Sequence, residues 1–190
     1  MISADTLPPP AAVADTELTR RVADFLHREA DLLDTGRYED WAALFTADCL
    51  YWLPVDPAAT HPDRCLSHIR DDRQLLDARV HRLHHPRGNA PEPIPRTVHM
   101  VTNVRAWAAG GGGGAASEGG AEDGAAGGIA ATCTLLVSDV RPRGYADDRR
   151  LFAGRAVYRL LDGPEGLRIR EKRVELVDSL ASFNAIIVPI

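Results

Sequence analysis

Lysine is almost missing from this chain. Of its 22 basic residues only Lys172 is a lysine, and the rest are arginines. The abundant alanine, glycine and proline point the same way, to the codon bias of a GC-rich genome rather than to selection for bidentate pairing. Cysteine is scarce too. Cys49, Cys65 and Cys133 are widely spaced with no CxxC, which excludes a disulfide framework or a structural zinc site and predicts reduced thiols. There is no basic excess: the net charge of −5 excludes a protein that binds by displacing phosphate counterions. No apolar run approaches the roughly 18 to 20 residues that span a membrane. The opening MISADTLPPPAAVADTE has neither a basic n-region nor an apolar h-region, so no signal peptide is expected. The expectation is a soluble, cytoplasmic chain.

What is present suits one globular domain: 190 residues, 45% hydrophobic and 26% charged. Residues 1–14 read as a loose Pro/Ala-rich lead, and residues 15–190 as a single domain. From an N-cap at Asp15 or Thr16, Leu18, Val22, Phe25, Leu26, Leu32 and Leu33 recur at helical spacing until Gly36. A short helix carrying Trp41, Leu44 and Phe45 follows, then a strand in CLYWLPV, a short one in CLSHIR, and a helix in DDRQLLDARVHRL. The second half holds four long β runs: PRTVHMVTNVRAW, IAATCTLLVSDVRP, RLFAGRAVYRLLD and GLRIREKRVELVDS. In the last, the apolar phase slips between Ile169 and Val174, which predicts a β-bulge near Glu171. Helices first, then a meander of long bent strands, predict an α+β fold: a strongly curved antiparallel sheet with about three helices on one side.

Residues 110–128 include ten glycines and five alanines. Such a segment buries too little to offset its ordering entropy and reads as a flexible hairpin insertion. It lacks the strand–GxxxxGK[ST]–helix frame of a phosphate loop.

Asp77, His81 and His84 stand at i, i+4 and i+7 of one helix. Two imidazoles and a carboxylate are the ligand set of a non-haem Fe(II) site. Against that reading, Leu76, Val80 and Leu83 make the buried stripe, with His81 and His85 nearly opposite. No HExxH is present, and Pro86 closes the helix. The expectation is a solvated or subunit-contacting face without a metal.

The block RRVADFLHREADLLDTGRYEDWAALFTADCLYWLPV resembles the opening of the β (small) subunits of aromatic-ring-hydroxylating dioxygenases. So do DDRQLLDARVHRL, PRTVHMVTNV and the ending REKRVELVDSL…IIVPI. The likeness runs in order from about residue 18 onward. The Gly/Ala insertion and HHPRGNAPEPIPRT depart from the family pattern. The resemblance implies a nuclear-transport-factor-2-like (cystatin-like) cone. It also implies that this chain carries no cofactor. A Rieske 2Fe-2S cluster and a mononuclear non-haem iron belong to a partner α subunit, with three α and three β chains in a hexamer. Electrons would come from NAD(P)H through a reductase, often by way of a ferredoxin.

Related folds also include isomerases, dehydratases and cyclases with an Asp or His base and a Tyr donor inside the cone. Asp48, Tyr51 and His99 are the candidates for that alternative. His99 is expected to share a strand face with Val101 and Asn103, and Tyr51 with Cys49 and Leu53. Candidate interface residues are Trp52, Asp71, Asp72, Arg79, Arg82 and Arg96, with the acidic pair also placed to cap a helix N-terminus. Trp107 reads as core or interface. The apolar tail AIIVPI is expected to be exposed, favouring self-association as a trimer.

Overall fold

A computed structural model describes residues 14–84, 96–109, 127–141, 148–181, 186 and 188–190. Helix α1 (Thr16–Asp34) starts where the Asp15 side chain accepts the Leu18 N–H at 3.0 Å. It stops where Gly36 takes φ +71°, a left-handed backbone that glycine adopts at little steric cost. Helix α2 (Tyr38–Ala42) follows. It ends before Leu44 and Phe45, and Phe45 instead begins strand β1 (Phe45–Pro54). Strand β2 (Ser67–Asp71) leads into α3 (Arg73–His84), whose first turn is capped by the Asp72 carboxylate on the Leu75 N–H at 2.9 Å. The remaining strands are β3 (Arg96–Ala108), β4 (Gly127–Arg141), β5 (Asp148–Gly163) and β6 (Gly166–Leu176).

These six strands form one curved, unclosed sheet in the order β2-β1-β6-β5-β4-β3, with the three helices of the first half against it. The expected α+β architecture stands, with one difference in pairing: β1 runs parallel to β6, and the other pairs are antiparallel. Strands of 11 to 16 residues can wrap a core only if they bend, and the bends sit at register shifts. In β6 the shift leaves Arg170 between the paired Ile169 and Glu171, the bulge that the slipped apolar phase predicts. In β3 the shift falls between Thr102 and Arg105, where Asn103 has φ +53°. Asn103 is therefore exposed and does not continue the His99–Val101 face. Gly154 marks a close approach, since a Cβ there would lie 2.5 Å from the Glu175 carbonyl oxygen.

The core fills the concave side. Val22, Leu26 and Leu33 of α1, Trp41 of α2 and Leu76, Val80 and Leu83 of α3 pack onto Tyr51, Leu53, Leu135, Val137, Tyr158 and Ile169. Gly127 and Gly128 belong to β4, and Ala109 donates its N–H to the Gly128 carbonyl at 2.9 Å. Residues 110–126, most of the lead 1–14, and the histidine and proline at 85 and 86 lie outside the described residues. No described helix is long and apolar enough to cross a membrane.

Candidate functional site

One rung of the sheet carries the interior polar groups. Ala106, Ala131, Tyr158, Lys172 and Tyr51 are partners in register across β3, β4, β5, β6 and β1. The two alanines leave room for the start of α1, where Thr19 Oγ accepts the Ala106 N–H at 3.1 Å. From α1 above the rung, Glu29 reaches in. Lys172 Nζ donates to Glu29 Oε1 at 2.8 Å, Trp41 Nε1 to the same oxygen at 3.1 Å, and the Tyr158 hydroxyl to Oε2 at 3.0 Å. Glu29 and Lys172 are only 3% and 2% exposed. The ammonium also lies 5.6 Å from the ring centroids of both Tyr51 and Tyr158.

Burial sets the chemistry of the neighbours. It pushes the Tyr51 phenol far up, and it does the same to Tyr158, where the Glu29 charge adds to it. Burial also lifts the Cys133 thiol to about 12, against the pull of Lys172. These are neutral donors and an inert thiol near pH 7. Each carboxylate, ammonium and phenol of the rung already holds a partner from its own chain.

A second cluster closes the cone beside this rung. Asp34, the last residue of α1, accepts the His99 backbone N–H at 2.8 Å, and its other oxygen lies 2.6 Å from His99 Nδ1. His99 Nε2 faces the Pro189 carbonyl at 3.2 Å. The Tyr51 hydroxyl donates to the Ile190 carbonyl at 3.0 Å and accepts the Ile190 N–H at 2.9 Å. Val188 and Ile190 are thus buried, and the expected exposure of the AIIVPI tail is corrected at these residues. An apolar segment with its main chain satisfied by His99 and Tyr51 belongs inside. An open cavity of about 750 Å³ adjoins, lined by Leu33, Asp34, Tyr38, Arg96, Thr97 and Val140 among others.

Burial would raise the Asp34 carboxyl, but the bonds from the His99 ring and backbone outweigh it and hold the group below its ordinary value. A carboxyl depressed in the folded state contributes stability that is present above its unfolded value, about pH 4, and lost as pH falls through the folded one. Asp34→Asn should therefore lower the urea midpoint at pH 7 and do so less near pH 3, below the unfolded value. An equal effect at both pH values would show that the contribution is not ionic.

Of the sequence candidates, Tyr51 and His99 do lie inside, and Cys49, Tyr51 and Leu53 share the core face as expected. Asp48 does not. It is exposed and pairs with Arg170 at 2.9 Å, because strand alternation turns it away from the core neighbour Cys49. Asp77 is held by Arg73 one turn earlier, and His81 is exposed. No group of three or more potential metal ligands occurs among the described residues.

Four interface candidates are engaged within the chain. Trp52 is fully buried, donates to Ser67 Oγ at 2.9 Å and lies under the Arg173 guanidinium at 4.6 Å. Asp71 and Arg79 form a largely buried ion pair. Asp72 is the cap of α3, while Arg82 and Arg96 are exposed and Trp107 is half-buried.

The sequence reading missed Glu29 and Lys172, although both left a trace. Val22, Leu26, Glu29 and Leu33 step by four, three and four along α1, so a carboxylate sits in the core stripe. The lone lysine is its partner.

The family model described as ring hydroxylating beta subunit matches residues 28–113, from α1 to just past β3. The small oxygenase component of the p-cumate 2,3-dioxygenase system of Pseudomonas putida is 44% identical over 90 residues, covering 46% of this chain and 50% of that protein. The benzoate 1,2-dioxygenase β subunit of Acinetobacter baylyi is 32% identical over 98 residues, covering 49% and 58%. A naphthalene 1,2-dioxygenase chain superimposes with a TM-score of 0.73 at 16% identity, covering 94% of this chain and 88% of that one. The matched half is thus similar in sequence to ring-hydroxylating β subunits, and the fold is similar to that of the naphthalene dioxygenase chain. This chain spans about half the length of the curated relatives it matches. The structural likeness covers nearly the whole fold, including the second half that the family model leaves unmatched.

Proposed function

We infer that this chain is the non-catalytic β subunit of an aromatic-ring-hydroxylating dioxygenase, assembling with and supporting an α subunit in the breakdown of aromatic compounds. The α chain would hold the Rieske cluster and the mononuclear iron, fed by a reductase or ferredoxin, in a complex of three α and three β chains. One observation carries this reading. The interior ionisable groups Glu29, Lys172, Asp34 and His99 are held by one another or by the chain's own main chain. They face each other rather than a substrate.

What the chain offers instead is an apolar band on the outer side of the sheet. Val98, Met100, Leu151 and Val177 are 57%, 47%, 59% and 83% exposed. Register brings Val98 alongside Ser138 and Leu151, and Met100 alongside Leu136 and Ala153. Apolar surface of this extent on one face favours a partner, and the copies of a β trimer are the partners we assign to it.

The test is reconstitution with a Rieske-bearing α chain. Ring hydroxylation should require both chains and the electron-transfer proteins. His99→Gln or Tyr51→Phe should change turnover by less than about tenfold once assembly is equal, because an essential acid–base group contributes about 10²–10⁴-fold. Turnover of an isomerase or dehydratase substrate by the lone chain, abolished by His99→Gln, would replace this reading with a stand-alone enzyme.

A further inference from the structure

His99 sits between two acceptors. Its Nδ1 is 2.6 Å from an Asp34 carboxylate oxygen, and its Nε2 is 3.2 Å from the Pro189 carbonyl. A neutral imidazole carries one N–H and can satisfy only one of them; the imidazolium satisfies both. The ring is 2% exposed, so water cannot readily replace a missing partner.

We propose that residues 188–190 form a proton-dependent clasp, docked in the cone while both His99 nitrogens carry protons and released when Nε2 gives its proton to solvent. The proton facing Asp34 stays, because a carboxylate holds it more strongly than a carbonyl does. The Nε2 lone pair then points at the Pro189 oxygen, and two acceptors confront each other. Pro189 loses its contact, and the segment keeps only the Tyr51–Ile190 pair and the burial of Val188 and Ile190.

Among the described residues, the other titratable and charged groups at this end include the exposed Arg96, which lines the cavity with Asp34. Tyr38 of α2 is pushed up by burial and by the Asp34 and Asp139 charges, so it stays neutral. Asp139 of β4, two residues beyond the His99 partner Val137, is paired with Arg150 of β5. Tyr51 of β1 is buried and neutral. Release would uncover Val188, Ile190 and the Tyr51 hydroxyl together, opening the interior at its polar rung.

The test uses the full chain labelled with ¹⁵N-histidine and uniform ¹⁵N, titrated from about pH 5.5 to about pH 9, the span in which histidines commonly change charge. Ring shifts report the protonation of both His99 nitrogens, and the Ile190 amide reports docking through its protection from hydrogen exchange. At low pH both nitrogens should be protonated. Loss of the Nε2 proton and a fall in Ile190 protection of about tenfold, the worth of one hydrogen bond, should share a midpoint. In His99→Gln that midpoint should vanish. A neutral ring beneath a docked segment overturns the proposal, as does a ring that titrates without loosening Ile190. So does a ring still charged and a segment still docked at the top of the range. The wild-type titration decides by itself if His99→Gln does not fold.

Discussion

Lys172→Met should lower folding stability by about 3–5 kcal/mol, the usual result of removing one half of a buried ion pair. The side chains are close in length, so packing changes little and the loss reports charge. Glu29 would keep its bonds from Trp41 and Tyr158 but lose the ammonium at its Oε1, while only 3% exposed. The double variant Glu29→Gln, Lys172→Met should recover most of the loss, because a neutral amide can still accept from Trp41 and Tyr158. Urea denaturation of the wild type, both single variants and the double closes a mutant cycle, and the coupling should exceed about 1 kcal/mol. Near-additive losses would mean that the ammonium is held by the tyrosine rings and that Glu29 is incidental to it.

The same pair shows where sequence reasoning reaches its limit. Strand β6 was legible down to its bulge, because an apolar phase that flips must be paid for by an extra residue, here Arg170. Helix α3 was legible because Leu76, Val80 and Leu83 repeat at helical spacing and all are buried. The parallel pairing of β1 with β6 was not, since it joins residues more than a hundred positions apart with no local signature. Glu29 drew no attention in the sequence, and only the fold places it over a lysine in β6. Asp48 failed for a simpler reason. Its neighbours suggested a site, but the alternation of the strand sends it to the opposite side from Cys49. The tail failed because six apolar residues read as surface until His99 and Tyr51 are seen to satisfy its main chain.

Met100→Asp combined with Leu151→Asp should strongly weaken the proposed self-association while leaving the monomer folded. Both side chains are about half exposed or more, on the outer side of the sheet, so carboxylates there are solvated in the free chain. They stand on adjacent rungs: Met100 aligns with Leu136 and Ala153, and Leu151 with Ser138 and Val98. Val177, whose N–H joins the Ala153 carbonyl at 2.9 Å, extends the band toward β6. Beyond it, Thr102, Thr134, Arg155 and Glu175 turn the next rung polar. An interface centred on the apolar rungs would have to desolvate both new carboxylates without a cation to meet them. Association should weaken by about 3 kcal/mol or more, roughly a hundredfold. Sedimentation across a concentration series would read the change, with circular dichroism and the urea midpoint as controls for folding. Arg155→Ala, one rung into the polar half, should have a far smaller effect. If the double variant still assembles as the wild type does, the copies meet elsewhere, and the apolar band is left for the proposed α chain. Capture of the α chain by the double variant then separates the cases. Intact self-association with lost capture assigns the band to α, whereas lost self-association with capture retained assigns it to the β copies.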